Sequence, residues 1–328
     1  MNFAAVIVLF NPDELGEQII IRNILSYANK MQCIYIVDNS SSNNSKIAKA
    51  IPKSIYMQNF NKGGIAGALN RGCERALSEG FEWCMTMDQD SIFDEENLNT
   101  YLSLVEGFIK KDNTAVSFGP DTIDLNKTVH WTKKMRYNIL SPIKRKVLGK
   151  KYKTRENPAL IFPNDVITSA NIIHLKAWKS VGGFDEELFI EQVDVNFCRK
   201  LIAKSLRIVQ FRTVFLEQKF GEKNGFTLLP KHTPKYGSFR LYYIFRNLLI
   251  EKKRFPDEKY KLYYRTMLYR YFFDYCINSI HAVKNLQIFI KAYKSYKMFT
   301  DNRQQTTDNR QQTTELKLVL VSCQEPLC

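Results

Sequence analysis

The sequence predicts an α/β protein, its first part an open parallel sheet with helices on both faces, followed by a basic helical C-terminal region. Within the first ninety residues, short apolar runs of strand length alternate with segments of helical periodicity. The second, third and fourth runs each give way to a polar or glycine-rich cluster. At 328 residues, 45% of them hydrophobic, the chain can bury one large core and carry a smaller appendage.

Ala4–Phe10 is a continuous apolar run, as expected of a strand buried on both faces. Helical periodicity follows over 14–30 through Leu15, Ile19, Ile20, Ile24 and Tyr27. Cys33–Val37 reads as a second strand, stopped by Asp38-Asn39-Ser40-Ser41. A short helix near 44–50 precedes a strand at Ser54–Met57. A glycine-rich stretch then opens a helix spanning Asn61–Glu79, and Trp83–Met87 is the fourth strand. Such a β-α-β-α-β-α-β order implies crossover connections and a parallel sheet.

Farther along, Ala115–Gly119 reads as a strand, and Val166–Ala170 and Ile172–His174 as further strand material. Asp194–Ser205 reads as a helix and Arg207–Phe215 as a strand. Tyr236–Phe299 is mostly helical, broken at Phe255-Pro256. The expected organisation is a catalytic domain over 1–230, a basic aromatic helical region over 231–300 and a low-complexity, disordered tail over 301–328. In that tail Asp301–Thr307 repeats as Asp308–Thr314 and offers no apolar face to bury.

No apolar run approaches the roughly 20 residues that span a bilayer. The opening run has no basic residue before it and ends at Asn11-Pro12, which suits a strand better than a signal peptide. Seven scattered cysteines without a CxxC pair fit a reducing cytosol and argue against zinc. His130, His174, His232 and His281 lack metal-ligand spacing and read as structural or surface residues. The net charge of +15 is uneven: 133–155 holds ten Lys or Arg and no acid, and 231–300 holds fifteen against four acids. That clustering suits an anionic partner, whether nucleic acid, phospholipid head groups or a phosphorylated substrate. Basic and aromatic residues interleave in the second cluster, which suits an interfacial helix and equally suits packing on the main domain.

Ligands of open α/β sheets bind beyond the carboxyl ends of the strands. Three polar clusters fall there: Asp38-Asn39-Ser40, the run Asn61 to Asn70 with Gly63, Gly64 and Gly67, and Asp88-Gln89-Asp90-Ser91. Strand-end carboxylates two apart can share a divalent cation, and oxygen ligands suit Mg²⁺ or Mn²⁺. Ordinary turn and capping chemistry accounts for an isolated Asp-x-Asp equally well. The glycines permit close backbone approach at a helix N-terminus, or simply tight helix–sheet packing. Neither GxGxxG nor a GxxxxGK[ST] P-loop is present.

Taken in order, Asp38-Asn39-Ser40, the Asn61 to Gly72 glycine run, Trp83 before Asp88-Gln-Asp-Ser, and Gly182-Gly-Phe-Asp-Glu ahead of Asp194 resemble family-two glycosyltransferases of GT-A fold, which implies an open mixed sheet with helices on both faces. The likeness is greatest to bacterial rhamnosyltransferases of O-antigen and capsule assembly, and covers about residues 3–250. It implies an inverting transfer of a sugar, L-rhamnose from dTDP-rhamnose foremost, to a lipid-linked cell-surface polysaccharide precursor. Galactofuranosyl or other UDP-sugar transfer is the alternative. By the same resemblance, Asp38 and Asn39 would meet the donor nucleoside, Asn61, Gly64 and Asn70 would shape its pocket, and Asp88 would face the nucleotide. Asp90 would ligate Mg²⁺ or Mn²⁺. Asp194 takes the general-base position, with Glu191 next in line, and Asp185 and Arg246 are candidate diphosphate or acceptor contacts. The family usually carries a metal-binding histidine where this chain has Gln218, and an acid two residues past the base where it has Asn196. The implied setting is cytoplasmic and peripheral, on the anionic inner face of the plasma membrane. A nucleotidyltransferase would also want paired carboxylates beside a glycine turn. The charge alone would suit a nucleic-acid binder, but no recognised nucleic-acid module appears.

Overall fold

The computed structural model describes residues 1–124, 159–218 and 236–301. The basic segment 133–155, His130, His232 and the repeat-bearing tail beyond residue 301 lie outside the described residues. The chain divides into two compact units, Met1–Phe220 and Gly221–Cys328.

The first unit is built on one eight-stranded sheet in the order β3-β2-β1-β4-β7-β5-β8-β6. Its parallel half comprises β1 (Phe3–Leu9), β2 (Cys33–Asp38), β3 (Ser54–Gln58) and β4 (Trp83–Asp88). Three helices connect them: α1 (Glu14–Ala28), α2 (Ser45–Lys49) and α3 (Gly64–Ser78). After α4 (Glu95–Ile109) come β5 (Ala115–Asp124), β6 (Leu160–Ile161) and β7 (Asn171–His174). Then α5 (Leu175–Ser180) and α6 (Val193–Ala203) lead to β8 (Arg207–Gln218). β7 runs antiparallel to both β4 and β5, whereas β5 and β8 are parallel and β6 is antiparallel to β8.

All seven residues of β1 are buried, which is why its sequence is apolar throughout instead of alternating. β2 lies on one side of β1 and β4 on the other, so the connections leave the sheet in opposite directions beyond Leu9 and Asp88. That is the switch point where open α/β sheets hold ligands. The main core joins Ile7, Leu9, Ile24 and Tyr27 with Met85, Tyr101, Phe118 and Phe211. The Tyr101 hydroxyl lies 2.6 and 2.8 Å from the carbonyls of Phe118 and Ala170, which share its one hydrogen, so its buried polar group is satisfied.

The segment Val166–Ala170, expected as strand material, joins no strand: Val166 and Ile167 are irregular and 168–170 turn. Ala170 has φ of +59°, and the Thr168 carbonyl accepts from Thr86 Oγ1 at 2.5 Å instead of joining a ladder. The paired strand starts only at Asn171. β5 extends five residues past Gly119, paired with β8 across a register shift between Pro120 and Asp121.

In the second unit, α7 (Ser238–Arg254) and α8 (Glu258–Phe272) flank the expected break at Pro256. A π-helical turn over Phe273–Ile277 leads to a helix spanning 282–301. These elements share a core of Leu241, Phe245, Tyr275, Cys276 and Ala292.

α3 lies over β1 and β2 at a distance that only a glycine permits, since a Cβ on Gly72 would overlap both γ-methyls of Val6. Gly72→Ala should therefore lower stability by about 1–3 kcal/mol. Adding Val6→Ala should recover part of the loss, as read by thermal denaturation of the single and double variants.

Candidate active site

Asp38 closes β2 and is wholly buried. Its carboxylate accepts from Ser40 N at 2.8 Å, Asn44 N at 3.1 Å and Asn44 Nδ2 at 2.9 Å, and the Tyr56 hydroxyl lies 2.6 Å away. Burial pushes the Asp38 carboxyl up, but the hydrogen bonds from Ser40, Tyr56 and Asn44 outweigh it and leave its pKa lowered. Burial and the Asp38 carboxylate push the Tyr56 hydroxyl up to about 12. Asn39, also buried, donates to the Gly64 carbonyl at 2.9 Å and accepts from Asn59 Nδ2 at 2.7 Å. The end of β2 is thereby tied to the start of α3.

The turn before α3 is left-handed at Phe60, Asn61, Gly63 and Gly64, with φ between 50° and 68°. A Cβ on Gly64 would overlap the carbonyl of Phe189, and one on Gly63 would fall 2.7 Å from Glu186 Oε2. The missing side chains admit the 186–190 segment, and Ile65 N donates to the Phe189 carbonyl at 2.9 Å. Asn70, one and a half turns farther along α3, clips the same segment. Its amide donates to the Phe184 carbonyl at 2.8 Å and to Glu186 Oε1 at 3.0 Å, while its oxygen accepts from Phe184 N at 2.8 Å. The glycine run and the Gly182-Gly-Phe-Asp-Glu motif are thus two sides of one docking contact. Asp185 turns its carboxylate back onto Glu187 N at 3.0 Å.

From that seat the chain enters α6 through Phe189, Glu191 and Gln192, all with φ of 63° to 65°. Non-glycine residues in this conformation are strained and collect at functional sites. Gln192 is the N-cap, so Asp194 is not. Asp194 lies in the first turn, half-buried, accepting from Val195 N at 2.8 Å. A helix N-terminus ordinarily favours a carboxylate. Here burial outweighs it and, with the charges of Asp165 and Glu191, pushes the Asp194 carboxyl up to about 7. Asp165 is itself raised by burial, which its neighbour Arg199, 3.9 Å away, only partly offsets. No motif marks Asp165; the turn signal Pro163-Asn164 before it is its one trace in the sequence. Asn196 is buried at 2% exposure, so the departure from an acid places an uncharged group inside the protein.

A second cluster forms where β4 and β8 end. An antiparallel bridge between Ile92 and Glu217, with N–H···O distances of 3.1 and 3.2 Å, joins the loop after β4 to the last residues of β8. It brings Gln218 beside the Asp-x-Asp pair: Gln218 Nε2 lies 3.0 Å from Asp88 Oδ2 and 3.4 Å from Asp90 Oδ1. Asp90 is exposed, Asp88 half-buried and Gln218 buried. Gln89 between them bonds both ways to the Phe10 backbone, with Phe10 N donating to Oε1 at 2.8 Å, and so links the ends of β1 and β4. Asp88 N donates to Ser169 Oγ at 3.3 Å, and Ser169 Oγ lies 2.6 Å from Ser91 Oγ.

Among the described residues no group of three or more His, Cys, Asp or Glu is arranged to hold a metal ion. Asp88 and Asp90 nevertheless bring two carboxylates together, with the Gln218 amide turning its Nε2 toward both. Gln218 Oε1 is buried and, among the described residues, has no hydrogen-bond partner; an amide rotation exchanging it with Nε2 would turn this oxygen toward the carboxylates. One or two carboxylates with substrate phosphates completing the shell is the usual arrangement for Mg²⁺. The residues therefore fit a hard divalent cation. Arg246 belongs to the second unit, on α7, where its Nε donates to Asn247 Oδ1 at 2.9 Å and its guanidinium lies 4.7 Å from the Tyr243 ring centre. His174 caps α5 through Nδ1, which accepts from Ala177 N at 3.2 Å.

Residues 5–168 match the family model described as Glycosyl transferase family 2, half of the chain. The match ends before Gly182, Asp194 and Gln218. A curated relative, dTDP-rhamnosyl transferase RfbF of Shigella flexneri, is 26% identical over 263 residues, covering 78% of this chain and 82% of that protein. Among solved structures, TarS 1-349 of S. aureus in complex with UDP-GlcNAc aligns with a TM-score of 0.55 at 14% identity, over 90% of this chain and 80% of that one. GalNAc-T7 with UDP, GalNAc and Mn²⁺ aligns with a TM-score of 0.52 at 13% identity, over 80% of this chain, which spans about half (49%) of that one. At these identities the structural likeness speaks to fold alone.

The raised Asp194 carboxyl predicts a pH dependence of stability. The folded protein holds this proton up to about 7, while the unfolded chain releases it near 4. The contribution of Asp194 is therefore fully present at acid pH and declines as pH rises from about 4 to about 7. Asp194→Asn carries no charge to bury, so it should flatten that slope and equal or exceed the wild type in stability above pH 7. Denaturant unfolding across this range tests it, and an unchanged slope would refute the burial of the charge.

Proposed function

Because the chain belongs to glycosyl transferase family 2, we propose that it transfers L-rhamnose from dTDP-rhamnose, with inversion, to a lipid-linked precursor of O-antigen or capsular polysaccharide. It is a glycosyltransferase of GT-A fold, acting on a nucleotide-sugar donor. The observation that carries the choice of sugar is the similarity to a dTDP-rhamnosyl transferase over most of both chains. The alternative donor is a UDP-sugar, galactofuranosyl or other. The reaction is assigned to the cytosolic side of an anionic membrane, with the basic 231–300 region facing the lipid. No helix among the described residues is long and apolar enough to cross a membrane.

The donor nucleoside is assigned to the loop after β2. Asp38, its carboxylate already engaged by Ser40, Asn44 and Tyr56, holds that loop in shape, and Asn39 joins it to the glycine turn at Gly64. Asn61 lines the turn, and Asn70 acts through the segment it clips. Asp88 and Asp90 face the diphosphate, where bound Mg²⁺ or Mn²⁺ would offset the charge growing on the departing nucleoside diphosphate. Asp194 takes the proton of the acceptor hydroxyl as that oxygen attacks the anomeric carbon and the bond to the diphosphate breaks. A carboxyl raised to about 7 suits this role, since a base works best with its pKa near the working pH. Asp165 and Glu191 support the raised value by their charge.

Two experiments test the assignment. A panel of nucleotide sugars with Mg²⁺ or Mn²⁺ should give thermal stabilisation with dTDP-rhamnose first; stabilisation by UDP-sugars alone would move the reading to the alternative. In a transfer assay, Asp194→Asn should lower turnover by roughly 10²–10⁴-fold with donor affinity nearly intact. Wild-type kcat/KM should fall as pH drops below about 7. Chelation should abolish transfer and Asp90→Ala should mimic it, whereas full activity in excess chelator would remove the metal from Asp90.

A further inference from the structure

The helix spanning 282–301 buries one side and leaves the other bare. Ala292 is fully buried, and Ile288 and Phe289 pack on the core of Leu241 and Phe245. The opposite side exposes Val283 at 75%, Leu286 at 41%, Ile290 at 46%, Tyr293 at 41% and Met298 at 67%. At 3.6 residues per turn these fall within one stripe. Lys284, Lys291, Lys294 and Lys297 are exposed within and beside the same stripe. Residues 275–300 contain no Asp or Glu, and the acid just before them, Asp274, is buried against Arg270.

An exposed apolar stripe of this extent marks an interaction surface, and its charge selects the occupant. A second copy of the chain would bring four lysines against four lysines with no acid between. Nucleic-acid phosphates would satisfy the lysines but leave Val283, Ile290 and Met298 in water. A bilayer with anionic lipid satisfies both, with head groups at the ammonium ions and acyl chains at the apolar side chains. We propose that the exposed face of helix 282–301 lies in the surface of an anionic membrane, with Val283, Leu286, Ile290 and Met298 inserted and the four lysines at the head groups. This deepens the proposed membrane-facing role of 231–300, on which it rests, by naming the face that docks.

The test is co-sedimentation of the purified full chain with phosphatidylcholine vesicles, with and without phosphatidylglycerol. Wild type should bind only the anionic vesicles. Replacing Lys284, Lys291, Lys294 and Lys297 together by Gln should weaken binding by about tenfold or more. Val283→Ser with Met298→Ser should weaken the binding that survives at high salt, and both positions are exposed enough to leave the fold and its Tm unchanged. A comparison variant neutralising Lys252, Lys253, Lys259 and Lys261 should lose less. If that variant loses binding and the helix variants do not, the face is wrong although the membrane reading survives. If wild type binds no vesicle, both fall, while nucleotide-sugar turnover measured in parallel still decides the transferase reading. A dimer broken by Val283→Ser would assign the face to a second copy and overturn the proposal.

Discussion

The seat of the Phe189 carbonyl on the first turn of α3 is the contact on which the candidate site depends. A Cβ at Gly64 would occupy the place of that carbonyl, and one at Gly63 would press on Glu186. With both absent, Ile65 N reaches the Phe189 carbonyl and Asn70 closes two hydrogen bonds on the Phe184 backbone. The 184–192 segment is thereby held in a run of left-handed residues that it would not keep by itself. α6 must then begin where Gln192 ends, and Asp194 is carried into its first turn.

The same seat has an electrostatic consequence. A carboxylate in a first helical turn gains from the exposed N–H groups there. Asp194 lies in such a turn, yet burial and the charges of Asp165 and Glu191 leave its proton hard to remove. The cluster after β4 differs in kind. Asp90 stays in solvent beside the Gln218 amide, whose oxygen is buried and without a hydrogen-bond partner among the described residues. One locus holds a proton near neutral pH and the other exposes the Asp90 carboxylate to solvent; in the proposed reaction that division would suit attack at one end of a bond and departure at the other.

Under the proposed metal assignment, Gln218 would stand where the resembling enzymes carry a histidine. An amide has an oxygen able to ligate a hard cation, and the Ile92–Glu217 bridge holds this strand end beside the loop after β4. Asn196 is accommodated differently. It is buried, where an acid would need a compensating partner.

Much was legible in local sequence because it has local causes. The continuous apolar runs mark strands buried on both faces, the polar and glycine-rich clusters mark strand ends, and Pro256 marks the break between α7 and α8. Asp38, Asp88 and Asp90 were readable as candidates because Asp38 and Asp88 close strands, and Asp90 follows two residues on, at the edge where such sheets bind ligands. Val166–Ala170 misled, because its β-branched residues favour a strand while the hydrogen bond from Thr86 to the Thr168 carbonyl holds a turn. Other features had no local signal at all. That Asn70 clips Phe184, that Gln218 meets Asp88 and that Asp165 raises Asp194 are relations between residues 114, 130 and 29 positions apart. The sequence by itself determined which chemical groups stand at the strand ends. Only the tertiary structure decided which of them share a site and which proton is held, because burial and the field of neighbouring charges arise only when distant segments pack.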